Sequence, residues 1–161
     1  MKPVLDACCG GRMMWFDKKD ERCLYADKRK EERSWDFYSG KKEVKPDQIH
    51  DFRDMPYKDE SFYHVVFDPP HRRNMSLKSV VGFSYGSLDK ETWQEDLTKG
   101  FAECFRVLKE NGTLIFKWNE VDIPLKEVLK LTTQKPLYGH KSGKKANTHW
   151  VSFIKNVRPE D

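Results

Sequence analysis

The chain has 161 residues, 37% apolar and 35% charged, which is the size and composition of one globular domain spanning residues 1–161. It holds no stretch near the roughly 18 uninterrupted apolar residues of a membrane span, and Met1-Lys2-Pro3-Val4-Leu5-Asp6 lacks the apolar run of a secretory signal, so a cytoplasmic protein with no membrane partner is expected. Net charge is only +4, so any reading as a polyanion binder must come from where cations cluster. Cys8, Cys9, Cys23 and Cys104 show neither CxxC spacing nor a nearby pair of His; this argues against a disulfide framework or a metal site and for reduced thiols packed as small apolar groups.

Five short apolar runs each stop at a turn signal or a charged residue. They are Val4-Leu5-Asp6-Ala7-Cys8, Cys23-Leu24-Tyr25-Ala26-Asp27, Gln48-Ile49-His50-Asp51, His64-Val65-Val66-Phe67-Asp68 and Thr113-Leu114-Ile115-Phe116-Lys117-Trp118. Short, near-continuous runs predict strands buried on both faces of a parallel sheet. The charged segment from Lys28 to Lys45, with Trp35, Phe37 and Tyr38, is expected to contain a helix, although no boundary can be read. Trp93, Leu97, Phe101, Phe105 and Leu108 recur at helical spacing, with Asp89 suited to cap the start and Asn111-Gly112 to supply the stop. Asp122-Ile123-Pro124 opens a second helix carrying Leu125, Val128, Leu129 and Leu131, its proline in the first turn where a missing N–H costs least. Leu137-Tyr138-Gly139-His140 and Trp150-Val151-Ser152-Phe153-Ile154 flank a loop, Lys141 to Thr148, with no helical pattern between them, so the two must pair antiparallel. The expected fold is α/β, a mostly parallel sheet closing with a C-terminal antiparallel hairpin.

Open α/β sheets bind ligands at the carboxyl ends of their strands, so the strand ends carry the chemistry. The first run ends in Asp6-Ala7-Cys8-Cys9-Gly10-Gly11 and the second at Asp27, about 20 residues on, the separation at which an acidic residue meets ribose hydroxyls. Gly10 and Gly11 let the backbone approach a ligand, but an ordinary turn uses glycine too, and Asp27 alone also suits a surface charge or a cap. The fourth run is followed at once by Asp68-Pro69-Pro70-His71. Two prolines end a strand because neither has an N–H for the ladder, and they fix the next turns in a stiff shape. The result is a carboxylate and a row of carbonyls at the ligand edge, ready to accept hydrogens from a planar NH₂ group. A plain strand terminator would need no Asp before the prolines.

On these residues the chain resembles the class I S-adenosylmethionine-dependent methyltransferases. Within them it is similar to the amino-methylating branch with an Asp/Asn-Pro-Pro-aromatic motif, which includes N6-adenine and N4-cytosine nucleic-acid enzymes. The resemblance runs from the Asp6 to Gly11 loop through Asp27, Asp51-Phe52 and Asp68-Pro69-Pro70 to Arg106-Val107-Leu108-Lys109 before Gly112, and the Asp-Pro-Pro block is its specific part. It implies a Rossmann-like, seven-stranded class I methyltransferase sheet and S-adenosylmethionine as cofactor. By that resemblance Asp6, Cys8 and the Gly10-Gly11 backbone hold the methionine end, Asp27 the ribose, and Asp51 and Phe52 border the adenine, while Asp68, Pro69, Pro70 and His71 form the catalytic block. The chain departs from the pattern in having Arg12 where a further glycine is usual and His71 where Tyr, Phe or Trp is usual. As given, it also starts at the first strand, so some segment other than a preceding helix is expected to close the cofactor side.

Arg72 and Arg73 directly follow the catalytic block, and Lys144 and Lys145 lie in the late loop; both segments mix cations with flexible Gly and Ser, the composition that tracks phosphates. Solvated loops on a basic protein are the competing reading, especially for the late loop. The expected partner is thus a single-stranded or structured nucleic acid, and a duplex-specific enzyme would need a protein partner for target recognition. The expected activity is methylation of an exocyclic nucleobase amine, with a small-molecule or protein amine, or a non-catalytic methyltransferase-like partner, as alternatives. Trp118 suits a pocket wall or the core, His64 reads as a satisfied core histidine, and no metal is expected.

Overall fold

The computed structural model describes residues 1–142 and 147–155. Its strands are β1 (Val4–Asp6), β2 (Cys23–Asp27), β3 (Glu31–Trp35), β4 (Tyr38–Val44), β5 (Gln48–Ile49), β6 (Phe62–Phe67), β7 (Leu108–Asn119), β8 (Tyr138–Ser142) and β9 (Thr148–Ile154). Seven of them form one sheet in the order β5-β2-β1-β6-β7-β9-β8. The first five in that order run parallel, whereas β9 is antiparallel to β7 and β8 to β9. All five apolar runs are strands of this sheet, and the two C-terminal segments form the antiparallel hairpin.

The long helix α2 (Trp93–Val107) covers one face. Its Phe101 ring lies 4.9 Å from Phe116 and 5.3 Å from Phe67, and Phe105 lies 5.7 Å from Phe153. Each such buried ring contributes about 1.5–3 kcal/mol. Gly100 is the notch that lets α2 come this close, because a Cβ there would stand 2.7 Å from both Phe52 and Phe67. Asp89 accepts from the amides of Glu91 and Thr92, so it shapes the turn before the helix, while Thr92 is the N-cap residue. The helix ends before Asn111-Gly112, because Leu108 already pairs with Phe62 in β7. Along the rest of β7, Leu114, Phe116 and Trp118 are buried, and Thr113, Ile115, Lys117 and Asn119 alternate with them on the other face. The short helix α3 (Leu125–Leu129) forms where expected but is shorter, with Pro124 as its N-cap residue and Leu131 beyond its end.

Two segments differ from expectation. Residues from Lys28 to Lys45 hold no helix; β3 and β4 form a separate antiparallel hairpin there. The alternation explains it, since Glu31, Arg33 and Trp35 are half-buried while Glu32 and Ser34 point to water. Between β1 and β2 the chain makes turns where strand-helix alternation would place a helix. Trp15 packs edge-on to Tyr25 at 4.9 Å there, and with Val4, Cys9 and Cys23 these rings make a small second core. All four cysteines are free, and Cys9, Cys23 and Cys104 are buried. Among the described residues, no helix is long and apolar enough to cross a membrane.

Candidate active site

The five parallel strands end at one edge, where the residues after them line a cleft. Cys8, Gly10, Gly11, Asp27, Phe52 and the whole Asp68-Pro69-Pro70-His71 block belong to its wall, together with His50 and Lys117. The hairpin β3-β4 holds the roof. Arg33 donates to the Leu77 carbonyl at 2.6 Å and the Trp35 indole N–H to the Lys78 carbonyl at 2.6 Å, while Arg29 reaches the Phe83 carbonyl at 2.7 Å. These bonds fix the segment containing helix α1 (Val80–Tyr85) over the glycine turn, so the hairpin and this segment close that side of the cleft.

Gly10 adopts φ 47° and its amide donates to Asp27 Oδ2 at 3.0 Å, while the Arg29 amide donates to Oδ1 at 3.0 Å. The carboxylate thus ties the first strand end to the second. Arg12 also has positive φ, 53°, the conformation that a further glycine would adopt easily. Its side chain leaves the cleft wall, crosses the Tyr25 ring at 3.7 Å and donates to the Lys18 and Lys45 carbonyls and to Asp47. The departure from the glycine pattern therefore leaves the cleft open.

Asp6 lies beneath the cleft, 1% exposed, accepting from the Trp15 indole at 2.7 Å and the Cys8 amide at 3.3 Å. Burial pushes its carboxyl up to about 7. The Cys8 and Cys9 thiols are pushed up mainly by burial as well, which keeps them protonated and unreactive.

After β5 the side chains alternate. His50 and Phe52 line the cleft, whereas Asp51 is not part of the wall and is clasped by Arg53 through Oδ1 at 2.9 Å and Oδ2 at 2.6 Å. His50 is buried, and its Nε2 lies 3.1 Å from the Ala7 carbonyl, which makes it the protonated nitrogen of a neutral ring. Nδ1 is then a bare acceptor, buried and without a hydrogen-bond partner among the described residues. Burial lowers the ring's basicity, in keeping with the neutral form.

Asp68 Oδ2 accepts from Lys117 Nζ at 3.0 Å. Burial pushes the Asp68 carboxyl up and the ammonium pulls it down, with burial the larger effect. His71 sits edge-on to Tyr85 at 5.8 Å and to Trp118 at 6.3 Å, and burial pushes it down to about 4, so it is a neutral imidazole at pH 7. Trp118 is a core residue, its indole donating to the Ile123 carbonyl at 2.8 Å. His64 bonds Thr113 Oγ1 at 2.8 Å, as a satisfied histidine does.

Of the four cations expected to meet phosphates, Arg72 lines a second cavity beside the cleft. Arg73 does not, because its backbone N–H and guanidinium are committed to Asp122, with side-chain contacts at 2.8 and 3.2 Å. Lys144 and Lys145 lie outside the described residues. The second cavity, about 550 Å³, shares Asp68, His71, Tyr85 and Lys117 with the cleft and adds Asn119. Sequence reasoning did not single out His50 or Lys117; a charged residue inside an otherwise apolar strand was the available signal for the second.

The strand order, the antiparallel β9 and the glycine turn after β1 define a Rossmann-like α/β fold. The fold is shared with the PH0226 protein of Pyrococcus horikoshii, at TM-score 0.59 and 15% identity over 94% of this chain and 80% of that one. It is shared likewise with a SAM-dependent methyltransferase of Methanosarcina mazei, at TM-score 0.57 and 14% identity over 96% and 92%. No family model and no curated protein sequence matches the chain.

Proposed function

We propose that the chain is an S-adenosylmethionine-dependent N-methyltransferase whose acceptor is an exocyclic amine of a nucleobase. The observation that carries this reading is the position of Asp68, on the wall common to two adjoining cavities. One cavity suits the methyl donor and the other its acceptor. The Methanosarcina mazei enzyme with the same fold supports the choice of donor.

The cleft residues fit that cofactor. Asp27 offers a carboxylate to ribose hydroxyls and Phe52 a flat ring at the end of β5, while His50 Nδ1 is a buried acceptor lacking a donor, which an adenine amine supplies. Bound there, S-adenosylmethionine supplies an electrophilic methyl group. The protein's task is the acceptor, whose lone pair is delocalised into the ring. Asp68 and the Pro69 carbonyl accept the two hydrogens of the amine and turn its lone pair out of the ring plane. The two prolines hold that carbonyl still, so positioning supplies much of the rate. Asp68 takes up the proton that the nitrogen releases, and neutral His71 offers a face for stacking the base.

Arg72 faces the acceptor cavity, its guanidinium donating to the Met75 sulfur at 4.0 Å, and a cation there suits a phosphate beside the base. A small amine is the second reading, favoured by the commitment of Arg73 to Asp122, which leaves one arginine instead of two for a nucleic acid. The test is mass spectrometry of nucleosides from DNA and RNA incubated with the protein and methyl-labelled cofactor, with free amines in parallel. Label on adenine or cytosine nitrogen is expected. Label on free amines alone would transfer the assignment to the second reading, and no cofactor binding in calorimetry would end both.

A further inference from the structure

Lys117 is a charged cleft residue that the chemistry above leaves without a task. It projects from β7 on the face opposite the buried Phe116 and Trp118, and it borders both cavities. Its ammonium is 3.0 Å from Asp68 Oδ2, each side chain being 23% exposed, and 5.5 Å from the centre of the Trp150 ring. An ammonium this far out of water loses much of its hydration, and a charge partner must make up the loss.

We propose that Lys117 is the positioning residue of the transfer: it anchors Asp68 through Oδ2 and keeps that carboxylate charged, so that Oδ1 is the oxygen presented to the acceptor amine. The inference rests on the proposed amine methylation. The other groups around the pair cannot do this work. From β1, buried Asp6 adds a like charge and Cys8 a thiol; from the loop after β6, His71 is neutral and Arg72 lies on the acceptor side. Without Lys117, Asp68 would lose the ammonium that pulls its carboxyl down, and burial, which already pushes it up, would act unopposed. A protonated Asp68 has one acceptor oxygen fewer and cannot take the proton from nitrogen. It would also be free to turn about its terminal bond.

The test compares wild type with Lys117→Met, Lys117→Arg and Asp68→Asn in three measurements. These are cofactor affinity by calorimetry, turnover from pH 5.5 to 9, and carbon NMR titration of the Asp68 carboxyl, assigned by its absence in Asp68→Asn. Lys117→Met is expected to bind cofactor within about twofold of wild type and to lose about tenfold or more turnover at pH 6. Turnover should return towards pH 9, the Asp68 carboxyl should titrate at higher pH than in wild type, and Lys117→Arg should restore both profiles. A loss equal at every pH and not restored by arginine, or an unchanged carboxyl titration, overturns the proposal. Should Lys117→Met fail to fold, Lys117→Gln carries the same measurements. The titration needs no turnover, so a wild type that methylates no amine would remove the functional reading while the pairing of Lys117 and Asp68 is still decided.

Discussion

Trp15 donates its indole N–H to Asp6 at 2.7 Å, which couples the small core under the β1-β2 connection to the base of the cleft. Asp6 is held near 7 in the folded chain against 3.8 as its ordinary value. Between those two pH values the folded chain binds a proton that the unfolded chain has released, so this contribution to stability is greatest on the acid side and falls as pH rises to about 7. The fall amounts to on the order of 4 kcal/mol. Asp6→Asn, which keeps an acceptor for Trp15, should remove it; urea unfolding of both proteins at pH 5 and pH 8 measures the difference. The same slope in the variant would show that Asp6 is not the group responsible.

Asp27→Ala should weaken S-adenosylmethionine binding by about 1–3 kcal/mol, because ribose hydroxyls lose a charged acceptor. The Gly10 and Arg29 amides lose their acceptor at the same time, so Asp27→Asn, which keeps one carbonyl oxygen, should fall between. Calorimetry on folded variants reads this directly, and unchanged affinity in Asp27→Ala would take the residue out of the site.

Gly100→Ala tests how the core positions the cleft. The added methyl would stand 2.7 Å from two rigid rings, Phe52 and Phe67, and overpacking of that kind costs about 1–3 kcal/mol. Because Phe52 belongs to the cleft wall, cofactor affinity should drop along with the thermal midpoint. A drop in the midpoint alone would separate Phe52 from cofactor binding.

Asp68→Ala should leave cofactor affinity near wild type while turnover falls about two orders of magnitude or more, since the acceptor amine loses its partner and Lys117 its carboxylate. Turnover close to wild type would remove the catalytic role of Asp68.

Single-stranded RNA or DNA binding should weaken linearly in log salt, and Arg72→Gln should make the slope shallower by about 0.7. Arg73→Gln should leave the slope nearly unchanged and lower stability instead, because its guanidinium serves Asp122. Binding that ignores salt in the wild type would turn the acceptor assignment to small amines.

Much of this architecture is written plainly in the sequence, and the physics says why. The runs ending at Asp6, Asp27 and Asp68 are legible because a central parallel strand must be apolar throughout and its ligand group must come just after it. The β8-β9 hairpin is legible because no helical pattern in the sequence separates its two apolar segments. The β3-β4 hairpin is not, since its inner face is built from Glu31, Arg33 and Trp35, residues that bury stems and rings while bonding carbonyls, and no apolar period marks it. The same blindness applied to Asp51. The resemblance places Asp51 and Phe52 together at the adenine, yet of the two only Phe52, with His50, lines the cleft, a matter of which face each side chain takes.

Arg12 has a wider consequence. At φ 53° it adopts a backbone conformation that glycine takes most easily, and its guanidinium leaves on the side away from the cleft to clasp Asp47 and two carbonyls. What the turn demands is an angle and an unobstructed inner surface; a particular residue is only the commonest way to supply them. A pattern that spells out three glycines passes over such a chain, whereas one written as backbone angles would admit it and would place arginine among the side chains that can brace the turn from outside.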